Sequence, residues 1–411
     1  MKFRLHTYLI LLMAGLSSVM TACGDKHSEE PLPEDKEAPR TVLVYMVAKS
    51  NLSSYSKNDL AEMRSAALAG DLGKSRLLVY CTDRDSLPRL WEIKADAPEE
   101  YCRVKLREYT DDDLSVTHRR MQQVIDDVKF IAPARKYGII LWGHGTGYVQ
   151  DGVEKPSVEV QSTGKTALAE PEISTQSYGG ESSGGRSYWM NTTTLAKALE
   201  KKGFDWVYFD CCFMAGVEVA YELRNVTDYM VGSATEIPAD GMPYHRTLKY
   251  LMPENSDLTG AAQETFNYYN EQDGMYRTCT MSVTHVALMD NLAAASRAVF
   301  ASDNQLPDDY RAQDFQTASD HRRNGWAYYD FAHYMRALAG TEGRLRENFE
   351  AALSDVVVYE NETPMLWDSV SLANHNGLST LIIESDDDPE LDKKGYRELS
   401  WWTDVVSVRF E

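Results

Sequence analysis

Two short segments hold the residue types that acyl-transfer chemistry needs. Tyr137-Gly138-Ile139-Ile140-Leu141-Trp142 runs into Gly143-His144-Gly145, and Trp206-Val207-Tyr208-Phe209 runs into Asp210-Cys211-Cys212. Short apolar runs closed by glycine or by a charge are the mark of buried parallel strands. In open α/β sheets the reactive groups gather just beyond the carboxyl ends of such strands. A histidine at one strand end and a cysteine at another make the pair that a thiol nucleophile requires. The imidazole shares or removes the thiol proton, and the thiolate reacts. Neighbouring side chains on a strand end point oppositely, so one of Cys211 and Cys212 can face His144 and the other cannot. Each residue alone has a plainer use, the histidine in a glycine turn and the cysteines as small buried hydrophobes. Their pairing at two strand ends favours catalysis.

The flanks of these segments make the chain resemble the clostripain-like cysteine peptidases, relatives of caspases, legumains, gingipains and separase. The resemblance rests on Trp142-Gly143-His144-Gly145, on Asp210-Cys211-Cys212-Phe213-Met214 followed by Glu218, and on Tyr45-Met46-Val47-Ala48 through Leu52. A later stretch, Ala234-Thr235-Glu236-Ile237-Pro238 with Gly241 and Tyr244, belongs to it as well. The resemblance implies that Cys212, two positions after the aspartate and two before the methionine, is the nucleophile and His144 its partner. It implies an oxyanion hole from the amides of Gly145 and Cys212. It also implies cleavage after Arg or Lys, which asks for a carboxylate in the specificity pocket. Asp210 and Asp240 are the candidates, and either would serve equally as an ordinary turn residue. A helix starting just past Cys212 would favour its thiolate.

Some members of the family cut themselves between the histidine and the cysteine. Here residues 147–187 are rich in Gly, Ser, Thr and Glu, and 177–187 read as nearly structureless. Loops of this length are usually functional or disordered. Lys155, Lys165 and Arg186 are the basic residues on offer for such a cut. The chemistry requires no cofactor. Some relatives bind calcium, for which Asp111-Asp112-Asp113 and Asp386-Asp387-Asp388 are candidates, with solvated caps or turns the plainer reading; metal ligands stay unassigned.

The whole chain bounds these readings. Its 411 residues are 43% hydrophobic and 10% aromatic, ample for a real core. A net charge of −21 argues against nucleic acid as a partner. Residues 1–22 read as a lipoprotein signal peptide: Lys2 and Arg4 open it, Tyr8 to Leu16 form an apolar core too short to span a membrane, and Met20-Thr21-Ala22-Cys23 resembles a lipobox. The mature chain is then expected to start at a lipidated Cys23, anchored to the bacterial cell envelope outside the cytoplasm, with 23–39 as a flexible tether. Five further cysteines remain, so at least one stays unpaired; Cys211 and Cys212 are expected reduced, and a Cys81–Cys102 bridge is left open.

The elements that must position the pair follow from periodicity. Strands are expected over 41–47, 76–82, 90–95, 102–108, 137–142, 206–209 and 229–232, alternating with helices over 56–68, 114–130, 192–201 and 214–223. This alternation predicts an α/β fold, a caspase-like parallel-rich sheet flanked by helices, over 40–255. Residues 256–411 are expected to form a mostly helical subdomain, with helices over 259–272, 291–301, 328–338 and 345–357 and a late strand over 379–384. The expected function is a monomeric cysteine endopeptidase acting on a protein or peptide substrate. The rival of another class is a lipid-anchored binding protein on an inactive peptidase fold; a second rival keeps hydrolysis but cuts after Asp.

Overall fold

The computed structural model describes residues 37–84, 86–149, 178–312, 314–315, 328–393 and 395–411. Its centre is a run of apolar residues long enough to be buried on both faces. β1 (Ala38–Val47) places Leu43, Tyr45 and Val47 in one core and Val42, Val44 and Met46 in the other, the two-residue alternation of a strand with no solvent face. β2 (Arg76–Thr82), β5 (Ala134–Trp142), β9 (Trp206–Asp210) and β10 (Tyr229–Gly232) run parallel with it. β3 (Arg89–Ile93) and β4 (Arg103–Glu108) extend one edge as the expected hairpin.

Between the central strands the chain supplies α1 (Tyr55–Ala69), α2 (His118–Ile131), α3 (Thr192–Leu199) and α4 (Val217–Leu223). α2 starts later than expected. Thr117 caps it by accepting the Arg120 N–H, and the preceding acids are drawn to separate cations: Asp111 to Lys49, Asp113 to Arg119 and Asp112 to Arg120.

A second, three-stranded sheet joins β6 (His144–Gly145), β7 (Tyr178–Ser183) and β8 (Arg186–Met190). Residues 178–187, read from composition as nearly structureless, thus form most of a hairpin. Its inner face is held by groups that composition hides: Tyr178 OH donates to the carbonyls of Tyr45 and Trp142, and Glu181 accepts the Ser115 N–H.

Beyond residue 256 the helical expectation holds for α6 (Leu258–Asn270), which follows α5 (Tyr244–Leu251), for α7 (Met289–Phe300), and for helices Phe331–Ala339 and Arg344–Val356. The same part of the chain also completes the main sheet. β11 (Thr280–His285) pairs antiparallel with β10, and β13 (Val357–Glu362) pairs with β11 as the outer edge; β12 (Tyr329–Asp330) is a short bridge elsewhere. The strand order is β13-β11-β10-β9-β5-β1-β2-β3-β4, and Glu37–Glu411 cluster as one compact unit. The late strand is reduced to Ser379–Thr380. The residues that α2, α3, α4 and α7 bury share one core, and those that α1, α5 and α6 bury share the other. The result is an α/β fold with a parallel-rich sheet flanked by helices on both faces.

Candidate active site

Trp142 on β5 and Asp210 on β9 are the last partners of the parallel ladder between these strands. His144 and Cys212 each lie two residues farther on. The register therefore delivers both to one end of the sheet on neighbouring strands, which stand roughly 4.8 Å apart.

Past that pair the two chains diverge. His144 and Gly145 turn out of the main sheet to pair with Gly179 and Tyr178. After Cys212, Phe213 adopts φ 60°, a left-handed conformation that costs a bulky residue roughly 1–2 kcal/mol. Surrounding interactions hold it there. Phe213 N–H donates to the Thr235 carbonyl at 2.9 Å, Ala215 N–H to the Ser233 carbonyl at 2.9 Å, and the Phe213 ring stacks on Tyr328 at 4.1 Å. Because these residues bond outward, α4 begins only at Val217 and its amino end does not abut Cys212. Glu218, inside α4, is fully buried and accepts from Thr380 Oγ1, Leu381 N–H and Tyr396 OH, tying the helix to the end of the chain.

Gly145 is where the two strand ends close on each other. A Cβ at that position would lie 2.5 Å from the Cys212 carbonyl oxygen and 2.9 Å from Cys211 Cβ. His144, Gly145 and Cys212 line one cavity of about 520 Å³, with Asn51, Glu236 and Trp367 among its other walls. His144 Nε2 lies 2.6 Å from Asn51 Oδ1, and its ring sits 5.8 Å from that of Trp189. Cys212 Sγ accepts the Ile237 N–H at 3.4 Å and donates to the Ile237 carbonyl at 3.8 Å. Burial pushes its thiol up to about 12, against the help of the Ile237 amide and with the nearby charges of Glu236 and Asp210. Cys211 faces the opposite way, 1% exposed, with its Sγ donating to the Leu141 carbonyl at 3.0 Å. All five described cysteines are free.

The two candidate specificity carboxylates lie apart from this cavity. Asp210 is buried and accepts from Met242 N–H at 2.8 Å and Tyr244 OH at 2.9 Å. Burial raises its carboxyl to about 7, with the charge of Glu62 adding to the effect. It lines a small hollow together with Ser233, Gly241 and Met242. Ile237 borders both this hollow and the Cys212 cavity. Asp240 is exposed in the adjoining turn, and Arg186 is exposed on β8. Cys23, Lys155 and Lys165 lie outside the described residues.

Asn51 and Glu236 are site residues to which the sequence reading assigned no role. Both fall inside the stretches that carry the family resemblance. Nothing local marks them, because what turns them toward His144 and Cys212 is the meeting of loops from β1, β5 and β10. Trp189 comes from β8, between His144 and Cys212, and Trp367 from far along the chain.

The fold has solved counterparts. An inactive zymogen C11 protease from Parabacteroides distasonis is 27% identical, with 90% of this chain and 98% of that chain covered at a TM-score of 0.70. A secreted C11 cysteine protease from Bacteroides thetaiotaomicron, solved with an irreversible peptide inhibitor, is 26% identical, with 89% and 98% covered at a TM-score of 0.67. A second secreted C11 cysteine protease from Bacteroides thetaiotaomicron, iotapain, shares the fold at 22% identity, 91% and 99% coverage and a TM-score of 0.68. No curated protein matches the chain. The clostripain family matches residues 44–399, a span that takes in all of the sheet but the start of β1, both strand ends and the segment carrying Trp367, and the chain belongs to that family of cysteine peptidases.

Proposed function

We propose that this chain is a cysteine endopeptidase cleaving after Arg or Lys, with Cys212 as nucleophile and His144 as the proton-transfer partner. The observation that supports it is the single cavity shared by the His144 turn and Cys212 at the ends of adjacent parallel strands. Cys212 Sγ adds to the scissile carbonyl carbon as its proton passes to His144. The carbonyl oxygen becomes an oxyanion held by the amides of Gly145 and Cys212. His144 then protonates the departing amine, the C–N bond breaks, and a thioester remains. Water, deprotonated by His144, opens the thioester, and the returned proton restores the thiol. Thiol and imidazole supply both the nucleophile and the proton carrier, so these steps need no cofactor.

The preference for a cation rests on Asp210. A buried carboxyl whose affinity for its proton is raised by burial gains most from a guanidinium or ammonium brought against it. Glu236, in the cavity wall, and Asp240, in the turn beside Gly241, add negative charge on the same segment. Ile237 bonds the Cys212 sulfur and borders both the cavity and the Asp210 hollow, which supports a resting form in which both are held back. The likeness to a protein described as an inactive zymogen is in keeping with this. Activation would follow a cut after Lys165 or Lys155; Arg186 is the poorer position, because buried Met190 anchors the strand that follows it. The opening of the sequence supports a lipid anchor at Cys23 and a place in the cell envelope, and a monomer is the simplest assembly. No helix among the described residues is long and apolar enough to cross a membrane.

The test is covalent labelling of the purified full chain by peptidyl ketones that alkylate active-site thiols, bearing Lys, Arg, Asp or Leu next to the reactive carbon. Labelling of Cys212 by the Lys and Arg compounds, absent in His144→Ala, is the expected result. Preference for Asp or Leu would overturn the specificity. Failure of every compound, before and after limited proteolysis of the chain, would favour the inactive binding protein.

A further inference from the structure

The outer edge of the sheet carries a group of side chains that the peptidase chemistry does not use. Glu360 and Glu362 stand two residues apart on β13, so their side chains share one face of the strand. His375 comes from the loop after β13 and is driven against that face. Its side chain is completely buried, and neither ring nitrogen has a hydrogen-bond partner. The two glutamates face it at ion-pair distance, but a buried imidazole that makes no hydrogen bond is still costly, since neither nitrogen recovers the bonds it had with water.

The distances explain what is missing. His375 Nδ1 lies 3.7 Å from Glu360 Oε2 and 3.6 Å from Glu362 Oε2. Both gaps are too long for hydrogen bonds. They are close to the roughly 3.3–3.5 Å that separates two ligands held about 2.0–2.1 Å from one tetrahedral ion. One atom from each of the three residues can be chosen so that all lie within 4.8 Å of one another, and among the described residues this is the one group of its kind. We propose that Glu360, Glu362 and His375 bind a divalent transition-metal ion of the zinc type, with solvent as the fourth ligand. One imidazole and two carboxylates are a donor set for zinc; calcium prefers a cage of six to eight oxygens. The two glutamates are 42% and 30% exposed, which leaves a route for the ion and for a water ligand.

The surrounding chain holds His375 in place. Asn376, the next residue, donates its N–H and its amide to Asp330, while His375 N–H donates to the Leu372 carbonyl. Gly377 follows with φ 94°, and a Cβ there would lie 2.7 Å from Val357 Cγ1 and 3.4 Å from Glu360 Cβ. Only glycine lets the loop approach β13 this closely. Arg336, the nearby cation, is engaged by Glu350 and Asn376.

The position of the group suggests what the ion does. Glu362 and His375 stand at the two ends of a segment that folds out as a hairpin, Met365–Leu366 against Val370–Ser371. At its tip Trp367 and Asp368 both have left-handed backbone, φ 49° and 52°. Trp367 lines the catalytic cavity and donates its Nε1–H to Glu236 at 2.7 Å. An ion joining Glu360 and Glu362 to His375 closes the base of that hairpin and steadies a cavity wall without touching the reacting atoms.

The test uses the full chain carrying Cys212→Ala, so that the reactive thiol does not compete for metal. After chelation, equilibrium dialysis against zinc chloride should leave one equivalent bound and raise the melting temperature by several degrees, with calcium and magnesium chloride doing neither. Glu360→Gln/Glu362→Gln, two partly exposed near-isosteric changes, should fold by circular dichroism, bind zinc at least tenfold more weakly and lose the zinc-dependent rise. His375→Ala should do the same if it folds, and the double variant decides the matter if it does not. Full zinc binding in the double variant, or less than one equivalent in the parent, would overturn the proposal.

Discussion

Asn51 Oδ1 lies 2.6 Å from His144 Nε2, so a residue from the loop after β1 orients the imidazole presented by β5. If the amide oxygen accepts, Nε2 is the protonated nitrogen, the tautomer that the proposed proton transfer from Cys212 to Nδ1 would use. On that reading Asn51 would act as a positioning residue. Asn51→Ala is expected to lower kcat by roughly 10- to 100-fold, part of the full value of general acid–base catalysis, with a smaller change in KM. Asn51→Asp should recover part of the rate and move the acidic limb of the pH profile upward, because a carboxylate favours the imidazolium. A profile unchanged in both variants would refute the role.

The two adjacent cysteines should separate cleanly. Cys212→Ala is expected to abolish peptide hydrolysis and leave the melting temperature nearly unchanged. Cys211→Ala, which removes a buried sulfur bonded to the Leu141 carbonyl, should retain turnover at a cost of about 1 kcal/mol in stability. The reverse pattern in a fluorogenic peptide assay would move the nucleophile to Cys211.

Ile237 offers a way to loosen the resting form. Ile237→Ala keeps the backbone groups that bond Cys212 Sγ but trims the side chain that borders the Asp210 hollow. Alkylation of Cys212 by the Lys-bearing ketone is expected to speed up several-fold in uncut protein. An unchanged rate would show that Ile237 is not what holds the pocket closed.

Gly145→Ala tests the closeness of the two strand ends. Its Cβ would have to push the Cys212 carbonyl back from 2.5 Å, and overpacking of this kind typically costs about 1–3 kcal/mol. The variant keeps the amide at position 145, so a loss of kcat of roughly 100-fold would report displaced geometry rather than a missing donor. Near-native kcat would mean that the histidine strand can yield without consequence.

The hairpin under His144 should make stability depend on pH through Glu181. This residue is 1% exposed, and burial raises its carboxyl to about 7 despite the Ser115 N–H and Lys49, with Asp111 adding to the rise. The folded chain then binds the proton more tightly than the unfolded one. The stabilisation is complete below pH 4.5 and falls as pH rises to about 7, by up to about 3 kcal/mol. Glu181→Gln is expected to remove that part of the slope in urea unfolding measured across this range. A slope equal to that of the wild type would assign the pH dependence to other groups.

What the sequence determined by itself was local. Tyr137 to Trp142 and Trp206 to Phe209 read as buried strands, since their short apolar runs leave no polar face. The histidine and the cysteine pair just beyond them were therefore legible as strand-end residues from the order of residues alone. The helices of the second half were equally plain, because a 3.6-residue period is written in consecutive residues. The tertiary structure decided whatever depended on distant partners. The Val357–Glu362 strand has no strong pattern of its own and exists because β11 offers it a ladder. Cys212, not Cys211, faces the cavity because the Trp142–Asp210 register sets the phase of the strand end. The late start of α4 follows from Phe213 and Ala215 bonding to Thr235 and Ser233, which local propensity does not reveal. Glu360 and Glu362 read as ordinary edge charges until His375 is folded against them, because a buried imidazole acquires its meaning only from what encloses it.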